Sequence, residues 1–529
     1  GLAQVTAADV ELSGTIDSGA GRTRIRNSVA GREIDLGSAI AGRLSLVNSE
    51  INLITAGVIE IGRNDAGFGS GDVIVSAAIA PTGTTTLSIV TSGLATGTGT
   101  VTETNLRISA ETGVNLNAAN NVDTLAIETD QVAGGAAGNV IFRDANGFTV
   151  GNAATLAAGD VDGVRGIDTG AGGGTVTLRA TTGGISVINT DAANDINASG
   201  AVTITQEEGA GDPLFQIATG ADVETSAGGV TIQADKMILD GTITATTGAT
   251  VADKTVVLRP NDAGDAIDLG SATDAAANTL ELSDVELNNV SAETLHIGAS
   301  TAGQISVTAG GVGPDNVTTN FSLETDEGVD DDTNAGTINF AGGLRVDADT
   351  AVDLDAGSDV DTLAADVNDP GATFTFRDSD GLTVGSVDNG TDTRHGITTN
   401  NGDITILSGG PVTIGDGNGQ DISTGGTGAG DGRVTINSTS GTGTAATEGA
   451  GSTITAEELL LLGAGDFTLD QANDVATLAA NGTGAINYHD ANGFTVGTVG
   501  ATVGINATAA DGDVSLTTDT DGTAGSAEI

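Results

Sequence analysis

The chain has 529 residues, with 71 Asp plus Glu against 17 Lys plus Arg, a formal net charge of −54, 82 Gly, 6 Pro, no Cys and no Trp. Such a charge argues against nucleic acid and anionic membranes as partners. A chain without Cys has no disulfide framework, and no apolar run reaches the length of a membrane-spanning helix. Hydrophobic residues make up 38 % and alternate regularly as Val, Ile and Leu, which argues against disorder.

Strand-like alternation begins at Val5, Val10 and Leu12. The first recognisable unit is Ile34-Asp35-Leu36-Gly37-Ser38, followed by LSLVNSEINL from Leu44. Next comes NNVDTLA (Asn120 to Ala126), then a strand carrying Val140 and Phe142, then DANGFTVG from Asp144 to Gly151. In Asp144-Ala145-Asn146-Gly147 the Asp side chain can accept from backbone amides two residues on, and Asn-Gly tolerates positive φ. A tight corner is therefore expected there. Phe148 and Val150 should point inward after it, with Thr149 outward.

Apolar pairs then recur through Val176 and Leu178, Ile185 and Val187, Ile196, and Val202 and Ile204. The first unit returns as Ile267 to Ser271 with LELSDVELNN from Leu280. The corner unit returns twice. SDVDTLA (Ser358 to Ala364) precedes DSDGLTVG, with Asp378, Asp380, Gly381 and Leu382. NDVATLA (Asn473 to Ala479) precedes DANGFTVG, with Asp490, Asn492, Gly493 and Phe494. An aromatic stands two places before each Asp: Phe142, Phe376 and Tyr488. AEELLLLG (Ala456 to Gly463) fits one or two helical turns as well as a strand. The alternation continues to Val514 and Leu516.

Ile34, Phe148, Ile267, Leu382 and Phe494 are spaced by about 115 residues, so five copies of one ancestral unit are expected. The expected fold is all-β: one parallel β-helix (β-solenoid) over residues 1–529. Its approximate repeats are 1–115, 116–233, 234–348, 349–462 and a partial 463–529. A β-sandwich array fits the strand spacing, but sandwiches usually bury aromatics, which are 2 % here. Coils of roughly 20 to 25 residues stacked at ~4.8 Å would give about 23 coils and a rod of ~110 Å.

The succession of xDVxTLAA, DANGFTVG and GITTNNGDITILSGG (Gly396 to Gly410) resembles filamentous-haemagglutinin-like exported bacterial proteins. The resemblance covers most of the chain through its repeats, although no NPNL-type secretion signature occurs. It implies a right-handed β-helix at the cell surface, working as an adhesin shaft, toxin stalk or matrix fibre.

Three histidines, His296, His395 and His489, lie in separate repeats and are expected to form no constellation. GxSxG, HExxH and P-loop patterns do not occur. The chain is therefore read as no enzyme, with a carbohydrate-active β-helix enzyme as the other-class alternative. No cofactor is required, and calcium is the ion its acidic loops would suit. Candidate ligands are Asp326, Glu327, Asp330, Asp331 and Asp332 in one loop, and Asp416 and Asp421 in a lone DGNGQD segment. The corner residues Asp144, Asp378 and Asp490 are expected to cap turns, not to share a metal. The function expected is an extracellular structural one: the shaft of a surface adhesin, or a fibre subunit stacked head to tail through open coil ends. A surface-layer or sheath component is the alternative, and cell-surface glycans are a candidate partner.

Overall fold

The computed structural model describes residues 1–129, 138–153, 164–190, 195–207, 212–308, 310–331, 335–417, 421–439, 441, 443–508 and 512–519. Among the described residues almost every element is a short strand, and strand pairing is parallel apart from two small hairpins. The fold is a parallel β-solenoid. The chain divides into two compact units, Gly1–Val257 and Leu258–Ile529.

In the first unit one inward column runs Ile34, Val73, Ala95, Val114, Val140, Val176, Val202, Val230, each in register with the next. All are buried. A parallel register places like residues over like, so β-branched side chains that fit one coil fit its neighbour. Burying each contributes about 1.5–3 kcal/mol. In the second unit Phe374, Ile404, Val434, Leu459 and Leu478 form such a column, which ends on half-buried Val496. Leu382, Val412, Ala446, Phe467 and Ile486 form another, which ends on exposed Val514. Phe374 and Ile486 hold the same place in successive repeats yet stand in different columns. The repeat is thus not a whole number of coils.

Coil length varies more widely than the sequence suggests. One coil runs from Ala95 to Val114 and another from Val140 to Val176. Ala456 to Leu462 is strand, within Ile454–Leu462. The segments after the two IDLGS units each contain one helical turn, Asn48–Ile51 and Asp284–Leu287. Glu50 accepts from the Val47 amide (2.9 Å) and Glu286 from the Ser283 amide (2.9 Å), which stops these turns from extending as strand.

Candidate functional site: the repeated corner and its flap

Phe148, Leu382 and Phe494 are buried, while Thr149 and Thr383 are half-buried and Thr495 is exposed. Asp144, Asp378 and Asp490 are buried at the corners that precede them. Asp144 Oδ1 accepts from the amides of Asn146 (2.9 Å) and Gly147 (3.1 Å). Asp490 Oδ1 does the same for Asn492 (2.9 Å) and Gly493 (2.7 Å). In the middle copy Asp378 Oδ1 accepts from Asp380 (3.1 Å), and Gly381 donates instead to Asp380 Oδ1. Gly147 has φ +125°, and a Cβ there would lie 2.5 Å from the Gly184 carbonyl oxygen, so both conformation and the next coil demand glycine.

The second carboxylate oxygen reaches the preceding coil. Asp144 Oδ2 accepts from Val122 (2.9 Å), Asp378 Oδ2 from Val360 (3.0 Å) and Asp490 Oδ2 from Val475 (3.0 Å). Two residues before each valine, a buried polar side chain reaches one coil further back. Asn120 Oδ1 accepts from Val101 (2.8 Å), Ser358 Oγ from Ile338 (3.0 Å) and Asn473 Oδ1 from Ile454 (2.6 Å). Each copy thus ties three consecutive coils through side-chain-to-backbone bonds. The Asn or Ser at the head of NNVDTLA, SDVDTLA and NDVATLA is the half of the lock that local sequence reasoning did not assign. Its signal was the repetition itself.

Burial pushes the Asp144 carboxyl above the usual range, against its three amide donors. It raises Asp378 to about 6, with Asp380 adding repulsion. Asp359, Asp378 and Asp380 bring carboxylate oxygens within 4.8 Å of one another, the donor set a hard cation would take. An open groove of about 590 Å³ lies beside them, lined by Thr362, Thr383, Thr413 and Pro411.

The acidic candidates from the sequence are spread out. Asp326 is at an exposed corner, where the hydrogen bond its protonated carboxyl donates to Asp349 raises its pKa. Glu327 follows it, and its carbonyl accepts from Thr350. Asp330 accepts from Gln304, and buried Asp331 accepts from the Ala356 amide (2.6 Å). Asp332 lies outside the described residues. Asp416 accepts from the Ser386 amide (3.0 Å) and Asp421 from Thr453 (3.0 Å). The six that lie among the described residues form no three-carboxylate group of their own.

A second feature recurs after each TVG. Gly166 donates to the Gly151 carbonyl (3.0 Å), Gly396 to Gly385 (2.8 Å) and Gly504 to Gly497 (2.7 Å). Each pair pinches the neck of a flap of different length. The outward alanines of the TLA strands beside these necks, Ala126, Ala364 and Ala479, are fully buried. In the first copy Ala153 and Val164 pack on Ala126. In the third, the hairpin Thr498–Val499 and Thr502–Val503 places Val499 on Leu460 and Ala479. In the second, the hairpin Ser386–Asp388 and Thr393–His395 is held by charge. Arg345 binds Asp392 (2.9 Å), and Arg394 binds Asp347 and Asp366 (3.0 Å each). The sequence signal missed was the Gly-Ile that returns at Gly166-Ile167, Gly396-Ile397 and Gly504-Ile505.

Each histidine has a side-chain partner. His489 Nε2 meets Asp519 (3.1 Å), His395 Nδ1 meets Ser386 Oγ (2.8 Å), and His296 bridges Ser322 and Glu324 at 3.1 Å to each. The three histidines stand in separate places, and His296 has two side-chain partners. Its partners stand one coil away and are therefore some 26 residues distant in sequence.

No protein family, curated protein or solved structure matches the chain.

Proposed function

We propose that the chain is a structural solenoid that works outside the cell, as the shaft of a surface fibre or adhesin whose copies associate end to end. The observation that supports this best is the three-coil lock repeated at Asp144, Asp378 and Asp490. It ties coils along the stacking direction through buried bonds that pulling would have to break together. Stacking of identical open coils is heterologous and propagates, because no rotation closes it. A large negative charge keeps such shafts apart sideways and leaves end contacts favoured.

Electron microscopy with light scattering tests the reading. Purified chain should give rods that lengthen as concentration rises. Particles of one fixed length at every concentration would remove the end-to-end part, and sheets would favour a surface-layer role instead.

A further inference from the structure

Beneath the second flap the fold assembles three residues that the sequence keeps apart. Ser322 and Glu324 alternate on the strand Val317–Thr325, while Phe321 and Leu323 between them face the core. His296 stands on the preceding coil in register with Ser322. Its Nδ1 is 3.1 Å from Ser322 Oγ and its Nε2 is 3.1 Å from Glu324 Oε2. Glu324 is held below the usual carboxylate range, first by its hydrogen bond from His296, and so stays an acceptor. Accepting from Nε2–H fixes the tautomer and leaves the Nδ1 lone pair on the serine hydroxyl. Hydroxyl, base and orienting carboxylate are thereby in line.

Arg345, on the following coil, is in register with Ser322 and nearly buried. Asp347 holds its Nη2 (2.5 Å), and its Nη1 goes to Asp392 on the flap, at both the carboxylate (2.9 Å) and the carbonyl (2.8 Å). The flap hairpin packs on Val317–Thr325 and leaves Ser322 with no exposed surface and His296 at 7 %. The hairpin pairs only with itself and is fastened by side chains, between the pinched glycines Gly385 and Gly396. It can lift without opening a rung of the solenoid.

We propose that Ser322, His296 and Glu324 form a covered acyl-transfer site that hydrolyses an uncharged ester when the Ser386–His395 hairpin lifts. Lifting takes Asp392 away from Arg345 Nη1 and turns that donor toward the incoming carbonyl oxygen. Ser322 Oγ bonds to the carbonyl carbon as its proton passes to His296 Nδ1. The carbon–oxygen bond to the alcohol breaks, and the same proton leaves with the alcohol. Water then adds to the acyl-serine, giving its proton to Nδ1. The Ser322 Oγ–acyl bond breaks, the proton returns to Oγ, and the carboxylic acid departs. The net reaction is ester plus water to acid plus alcohol. This proposal stands apart from the shaft reading, since neither needs the other.

The test is labelling of the full chain with a fluorophosphonate, with the modified residue located by peptide mass spectrometry. Two openings of the flap are used: Arg394→Gln, and replacement of 386–395 by an Asn-Gly turn joining Gly385 to Gly396. Ser322 should label at least about tenfold faster in either than in the unaltered chain, and His296→Gln in the same backgrounds should slow labelling about a hundredfold or more. The proposal is overturned if Ser322 stays unlabelled in both opened chains, or if His296→Gln labels as fast as its parent.

Discussion

The hydroxyl of Tyr488 donates to Asp490 Oδ2 over 3.0 Å, with both residues fully buried. Phe142 and Phe376 occupy the same place in the other two copies, so this bond is an addition to a lock that works without it. Asp490 Oδ2 also accepts from Val475, whereas Phe142 leaves Asp144 Oδ2 with Val122. Tyr488→Phe should therefore cost only about 1 kcal/mol, the net worth of one hydrogen bond. Asp490→Ala should cost several times more, because three amides, the Val475 one buried, and the buried Tyr488 hydroxyl lose their acceptor. Denaturant melts of the two variants give the comparison. Equal losses would mean that the carboxylate adds nothing beyond the tyrosine bond.

Four carboxyls, three buried and Glu448 half-buried, set the direction of pH dependence. Burial raises Glu103 and Glu448 to about 7 and Asp378 to about 6, and raises Asp144 as well. A raised carboxyl binds its proton more tightly folded than unfolded. Its contribution is complete below the ordinary values of 4.5 for Glu and 3.8 for Asp, and is lost as pH climbs through the folded value. Stability should therefore rise as pH falls from about 7 toward about 5. Below that, Glu324, Glu281 and Asp392, whose pKa values are lowered, begin to act the other way. Glu103→Gln with Glu448→Gln should flatten the slope between pH 5 and about 7. Melting temperatures across that range decide it, and an unchanged slope in the double variant counts against the assignment.

The period-2 alternation of Phe148-Thr149-Val150 and the Asp-Asn-Gly corner are local, and both were readable because a strand face and a turn need only neighbours in sequence. Parallel stacking followed from repetition and from small β-branched residues in place of aromatics. The flaps and the lock's second half were harder to see. Asn120 and Ser358 look like ordinary polar loop residues until the coil before them supplies Val101 and Ile338. Ala126, Ala364 and Ala479 lie on the outward side of their strands, and alternation alone sends them to solvent. The contact of His296 with Ser322 and Glu324 depends on coil length, which varies with corner segments that the sequence does not measure. For the same reason, acidic residues close in sequence, such as Asp326 and Asp331, end at separate places.

Flap attachment can be probed where it is tightest. A Cβ at Gly343 would lie 2.9 Å from Val387 Cγ2 and 3.1 Å from Asn320 Oδ1. Val387 is 1 % exposed and has little room to yield. Gly343→Ala should loosen the Ser386–His395 hairpin at a cost of about 1–3 kcal/mol, the usual range for overpacking. Limited proteolysis should then cut within 388–393 while the coils on either side stay resistant. Cleavage spread through the solenoid instead would show that the hairpin is part of the cooperative core.

Ionic conditions offer the broadest test. A net charge of −54 on one chain is a large self-repulsion, and 17 cationic residues cannot neutralise 71 acidic ones. Several cations are already committed in clusters: Arg22, Arg24 and Arg26 all reach Glu60, and Arg345 and Arg394 share Asp347. Screening should therefore help more than it harms. At 0.1 M ionic strength the Debye length is about 10 Å, so repulsion between distant carboxylates falls away while buried pairs persist. The melting temperature should climb with sodium chloride up to a few tenths molar. Calcium should raise it further at matched ionic strength if close carboxylates such as Asp359, Asp378 and Asp380 take up the ion. Asp380→Asn then separates the two effects, because it removes one ligand and only one charge. It should abolish most of the calcium increment and leave the sodium response nearly intact. A calcium increment unchanged in Asp380→Asn would move binding elsewhere, and melts insensitive to both salts would show that repulsion is not what limits this fold.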